Sequence, residues 1–149
     1  MKVSPLDAHV GFWLRFVSNH VSAAFAARLE AEGVTVPEWV VLRHLYDAPG
    51  TSPAALVALL GMTKGAISKI VARLEARGLC ASTVSVADGR ARHLVLTDAG
   101  RAIVPRLARH ADENDAAFFG HLAPAERAAL VETLRALALR HQLAHLPID

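Results

Sequence analysis

A chain of 149 residues carrying a net charge of +2 can bury a core without metals or disulfides, and its 53% apolar content with only 5% aromatics favours helices over a β sandwich. The single cysteine, Cys80, excludes an intramolecular disulfide, and the opening MKVSPLDAHV has neither an apolar signal core nor a basic leader, so a cytoplasmic protein is expected. The longest uncharged run, residues 48–63, is shorter than a membrane span and contains Pro49 and Pro53, which argues against a membrane segment.

Val10, Trp13, Leu14, Val17, Val21, Ala24 and Phe25 recur at three- and four-residue steps, which predicts one long amphipathic helix from Asp7 to about Glu32, ended by Gly33. Pro37 opens a second helix through Leu45, and residues 47–50 read as a loop. Ser52 before Pro53 is an N-cap and first helical residue, starting a short helix that finishes at Leu60 and Gly61. Thr63 offers the next cap, for a helix to Arg77 stopped by Gly78. Strand-like runs at 82–86 and 93–96 flank Asp88-Gly89, a hairpin signal. Thr97 caps a helix from Asp98 to about Phe119, and Pro124 starts a last one to roughly His141.

Four helices, a small β hairpin and two helices make a mainly α fold. A helix-turn-helix followed at once by a hairpin is a winged helix, whose second helix enters a DNA major groove while the hairpin tip reaches the backbone or minor groove. Charge is distributed accordingly. Residues 61–92 hold Lys64, Lys69, Arg73, Arg77, Arg90 and Arg92 against Glu75 and Asp88, a local +4 that leaves the remainder at −2. On the helix after Thr63, the spacing turns Ile67, Ile70, Val71 and Leu74 inward and sets Lys64, Gly65, Ser68, Lys69 and Arg73 on the opposite face.

Thr63 and Gly65 keep the first turn slim, with amides free to meet a phosphate. Lysines suit phosphates, whereas Ser68 and Arg73 are the candidates for base edges. Arg90 and Arg92, two residues apart on the wing, are expected to project together toward a minor groove, with Asp88 orienting one of them. A protein-interaction module, using the same basic face for an acidic partner, is the competing class. None of GxSxG, HExxH, GxGxxG or a P-loop occurs, so no enzyme is expected.

Three segments carry a family resemblance: SPAALVALLGMTKGAISKIVARLEARGL, ADGRARHLVLTDAGRAI and LAPAERAALVETLRAL. Over nearly the whole chain the sequence resembles the MarR family of winged-helix regulators, departing from it at Cys80 to Ser82, where an apolar and a basic residue are common. The resemblance implies a DNA-binding lobe over residues 34–97 and dimerisation helices over 5–33 and 98–145. It implies a homodimer that presents two recognition helices to a palindromic operator on double-stranded DNA, most often as a repressor. The apolar faces of the flanking helices support joint burial between two chains.

The resemblance further implies a small aromatic acid or phenol bound between the dimer helices and the DNA-binding lobe. Trp13, Phe16, Val17 and His20 on the first helix, with Trp39, Arg43 and His44 on the second, are the candidate lining, Arg43 supplying a cation. The alternative makes Trp13 and Trp39 core residues and Arg43 the partner of an acid. Cys80 reads as a buried structural cysteine rather than a redox sensor. No cofactor or metal is expected, because His141 with His145 and His110 with Glu113 lack further ligands.

Overall fold

The computed structural model describes the chain apart from Val86, Asp88 and Arg90, with Ser85 described by its backbone alone. After a short 3-10 turn at Leu6–Ala8 come helices α1 (Val10–Glu30), α2 (Val36–Asp47), α3 (Pro53–Leu60) and α4 (Lys64–Ala76). Strands β1 (Cys80–Ser85) and β2 (Ala91–Leu96) follow, then α5 (Asp98–Phe119) and α6 (Pro124–Arg140). The mainly helical winged fold is as expected from the sequence.

The helix starts follow their caps. Thr35, Ser52, Thr63 and Thr97 each accept a backbone N–H from three residues on, satisfying an amide that the first helical turn leaves without a partner. The beginning of α1 differs from expectation: His9 is extended, which breaks the helix predicted from Asp7, and Trp13 Nε1 donates to Asp7 O at 2.9 Å to hold the preceding turn.

The hairpin is longer than the alternation suggested. It pairs Cys80 with Leu96 and Ser85 with Ala91 in an antiparallel register, so its base extends into the core where Cys80, Leu94 and Leu96 are buried. Leu94 also exchanges backbone hydrogen bonds with Gly50 and Thr51, at 2.9 and 2.8 Å, tying the hairpin to the loop before α3. At the other side Gly100 lets α5 approach Leu79, just before β1, because a Cβ there would lie 2.0 Å from Leu79 O.

The core gathers Leu42 and Leu45 of α2, Leu56 and Leu60 of α3, the inner face of α4, the hairpin base, and Ile103, Val104 and Leu107 of α5. In contrast α6 buries no residue, and α1 buries only Leu29. Trp13, Leu14, Phe16, Val17, Leu130, Leu134 and Leu137 remain exposed on these two helices. Among the described residues, no single helix is long and apolar enough to cross a membrane.

Candidate nucleic-acid interface

Helix α4 separates its residues by character. Ile67, Ile70, Val71 and Leu74 are buried beneath it, while Thr63, Lys64, Gly65, Ser68, Lys69 and Arg73 are exposed along its outer side. The inner four anchor the helix through apolar burial, and the outer set is exposed to a partner. Thr63 Oγ accepts from Ala66 N at 3.1 Å, leaving the amides of Lys64 and Gly65 at the exposed tip, where the helix dipole favours an anion.

The far end of α4 is held from behind. Glu38 of α2 is only 4% exposed, and its carboxylate lies 3.7 Å from Arg73 Nη1 and 4.0 Å from Arg77 Nη1. Arg77 also donates to Gly33 O at 2.6 Å. A buried carboxylate requires such partners, so Glu38 links α2 to the exposed arginine expected at base edges. The sequence reading missed Glu38. Its signal was its position three residues after the cap Thr35, which marks a helix start but not an ion pair across the fold.

At the wing the structure corrects one expectation. Arg92 does not project from the tip: it lies within β2 opposite Val84, and its guanidinium turns toward α4, donating to Glu75 Oε1 at 2.9 Å and to Ser82 Oγ at 2.6 Å. Ser82 donates to the same carboxylate at 2.8 Å. A carboxylate and a hydroxyl within reach outcompete water for a guanidinium fork. Glu75 thus orients Arg92. Asp88 and Arg90 lie outside the described residues; Gly89 between them has φ +67°, the left-handed conformation that a hairpin turn at Asp-Gly uses.

The residues suggested for ligand binding do not converge within one chain. Trp39, with Val21, Phe25 and Asn114, lines a cavity of about 500 Å3 between α1, α2 and α5. Trp13 lines a different apolar groove of about 720 Å3, formed by α1, the end of α5 and α6. Phe16 and His20 meet each other as tilted rings, centroids 5.1 Å apart. Arg43 pairs with Asp47 at 2.7 Å and lies over the Tyr46 ring, so its charge is engaged by its own helix. Side chains four apart on α2 satisfy one another before a distant aromatic stripe can use them.

Cys80 is buried, and burial together with the nearby Glu75 carboxylate pushes its thiol up to about 11, Arg92 opposing. Such a thiol stays protonated and unreactive.

The family model for the MarR family matches residues 32–91, the span from the end of α1 through the helix-turn-helix to the wing. The HTH-type transcriptional repressor Rv2887 of Mycobacterium tuberculosis is 34% identical over 122 residues, covering 81% of this chain and 88% of that one. The chain belongs to the MarR family. Rv2887 in complex with DNA superimposes with a TM-score of 0.75 at 28% identity, covering 88% of this chain and 98% of that one. BpsR of Bordetella bronchiseptica, whose DNA binding is regulated by 6-hydroxynicotinic acid, superimposes with a TM-score of 0.78 at 30% identity over 92% of this chain and 98% of its own. In this MarR-family chain, then, α4 occupies the recognition-helix position and the β1–β2 hairpin is the wing.

Proposed function

We propose that the protein is a DNA-binding transcriptional repressor acting as a homodimer on a palindromic operator, released by a small aromatic acid. The observation that carries this reading is the outer face of α4: Lys64, Ser68, Lys69 and Arg73 exposed in a row above four buried apolar residues, in a helix-turn-helix with an adjoining wing. Lys64, Lys69 and the tip amides of Lys64 and Gly65 beside the Thr63 cap serve phosphates, and Ser68 and Arg73 face base edges. Arg90 reaches for the minor groove, and Arg92 sets the wing against α4.

The dimer uses the faces that a single chain leaves uncovered. Trp13, Leu14 and Val17 of α1 with Leu130 and Leu134 of α6 line an apolar groove, and a second copy buries it on both sides of a twofold axis. Two recognition helices then address half-sites about 34 Å apart. The cavity beside Trp39 receives the aromatic acid, between the dimer helices and the DNA-binding lobe, where its occupancy alters the spacing of the two α4 helices.

Selection of fragments from a genomic DNA pool by the purified protein tests this reading. Retained fragments should share an inverted repeat, and binding should weaken steeply with salt. Recovery of fragments with no common sequence contradicts an operator-specific regulator and favours a protein-docking role for the basic face.

A further inference from the structure

The segment after α6 does work that neither the helix-turn-helix nor the dimer faces explain. It turns back at Gln142, which has φ +53°, keeps Leu143 bonded to Ala138 O of α6, and then lays His145 and Leu146 across the end of α3. An α-helix leaves its last carbonyls without intrahelical donors. In α3 Val57 O receives Gly61 N, Leu59 O receives the Leu146 N–H at 3.1 Å, and Ala58 O lies 3.2 Å from His145 Nδ1, which must carry the proton because a carbonyl can only accept. The segment therefore caps the first helix of the helix-turn-helix from outside.

The same segment reaches two more places. The His145 ring sits over the α3–α4 turn so closely that a Cβ on Gly61 would be 2.8 Å from it. Beyond it Ile148 packs on the core, and Leu146, Pro147 and Asp149 form one wall of the cavity lined by Trp39. Across that cavity stands Asn114, only 3% exposed, whose Nδ2 donates to Val21 O while its Oδ1 has no protein donor among the described residues. A buried amide oxygen without a donor is a costly group that a bound molecule with an N–H or O–H would satisfy.

We propose that residues 143–149 form a strap that closes the Trp39 cavity and transmits its occupancy to the α3–α4 turn. A molecule hydrogen-bonded to Asn114 shares its cavity with Leu146 and Pro147. Shifting them pulls on the two hydrogen bonds that hold the C-terminal end of α3, and hence on the turn that aims α4. The route is a backbone connection along one short segment, distinct from any change in dimer spacing. Its second experimental arm rests on the ligand reading given above; its first does not.

Two full-length variants test it, Leu146→Pro, which deletes the donating N–H, and His145→Ala, which removes the ring from Gly61. With helix content unchanged by circular dichroism, amide hydrogen exchange across residues 57–63 should rise about fivefold in each, the loss of roughly one hydrogen bond, with the wing unaffected. Unchanged exchange in that segment overturns the strap. In the second arm, 6-hydroxynicotinic acid should weaken binding of wild type to a selected DNA fragment and should still bind both variants by calorimetry, while its effect on their DNA affinity shrinks toward none. An equal effect on DNA affinity in wild type and variants overturns the coupling. Absence of binding heat with every protein overturns the ligand class instead, and the exchange arm then decides the strap alone.

Discussion

The Arg92 guanidinium and the Glu75 carboxylate meet at 2.9 Å, joining the wing strand β2 to the recognition helix α4 across 17 residues of sequence. Ser82 completes the contact from β1. Wing and helix are thereby held at one angle before any nucleic acid arrives.

A brace and a phosphate contact have different salt signatures. Arg92→Ala should weaken operator binding several-fold with the slope of log affinity against log salt unchanged, because an orientation is lost rather than a neutralised phosphate. Lys69→Ala should reduce that slope by about 0.9. Fluorescence anisotropy at several salt concentrations separates the two; an equal loss of slope for Arg92 would make it a phosphate ligand.

Arg77 and Arg73 both face Glu38 but differ in what else they hold. Arg77→Ala removes the bond to Gly33 O together with one of the two guanidiniums beside a buried carboxylate, and should lower unfolding free energy by about 1–2 kcal/mol, discounted because the pair is part-exposed. Arg73→Ala should alter stability little and base preference more. Urea unfolding and binding to operator variants measure the two effects.

Glu32 joins the end of α1 to α5. The hydrogen bond from His110 holds its carboxyl below the ordinary 4.5, partial burial opposes this, and Arg106 adds to the lowering. A depressed folded value favours the ionised carboxylate in the native state, so this contribution is complete above about pH 4.5 and lost as pH falls through the lower folded value. Glu32→Gln should lower the urea midpoint at neutral pH and flatten acid destabilisation below pH 4.5, so that variant and wild type converge in acid; an equal difference between them at both pH values would contradict this.

Cys80 should resist alkylation by iodoacetamide and oxidation by peroxide at neutral pH in the folded protein. Its thiol, raised from 9.0 to about 11, favours the protonated form in the native state, so its contribution to stability is present below pH 9 and lost as pH rises toward 11. Rapid labelling at pH 7.5 without unfolding would contradict a buried, inert thiol.

Leu134→Glu places a charge in the apolar groove shared by α1 and α6. It should yield a folded monomer that binds a single half-site weakly, since joint burial is lost while the lobe is untouched. Light scattering and circular dichroism report both; a dimeric mass would remove this groove from the interface.

Much of the fold was legible because local rules agreed. Ser52, Thr63 and Thr97 each announced a helix, and Ile67, Ile70, Val71 and Leu74 declared the inner face of α4 by spacing alone. The outer cationic face followed from the same periodicity. What escaped was pairing at a distance. Glu38 reaches Arg73 and Arg77 from another helix, Arg92 chose Glu75 over the wing tip, and His145 and Leu146 settle on α3. None of these follows a period or motif, because each is selected by which partner the folded chain brings within a few ångströms. The suggested ligand residues failed to converge for a related reason: helical spacing placed Trp13 on a stripe but could not say that Trp39 would face a different cavity.

The most direct measurement is anisotropy titration of a fragment recovered from a genomic pool against a shuffled duplex of equal length, for wild type and for the Lys64→Ala, Lys69→Ala and Arg73→Ala proteins. Wild type should prefer the recovered fragment by at least about a thousandfold at physiological salt, and each substitution on the outer face of α4 should weaken it. Equal affinity for both duplexes, or unchanged binding in all three variants, would contradict α4 as the element that reads DNA.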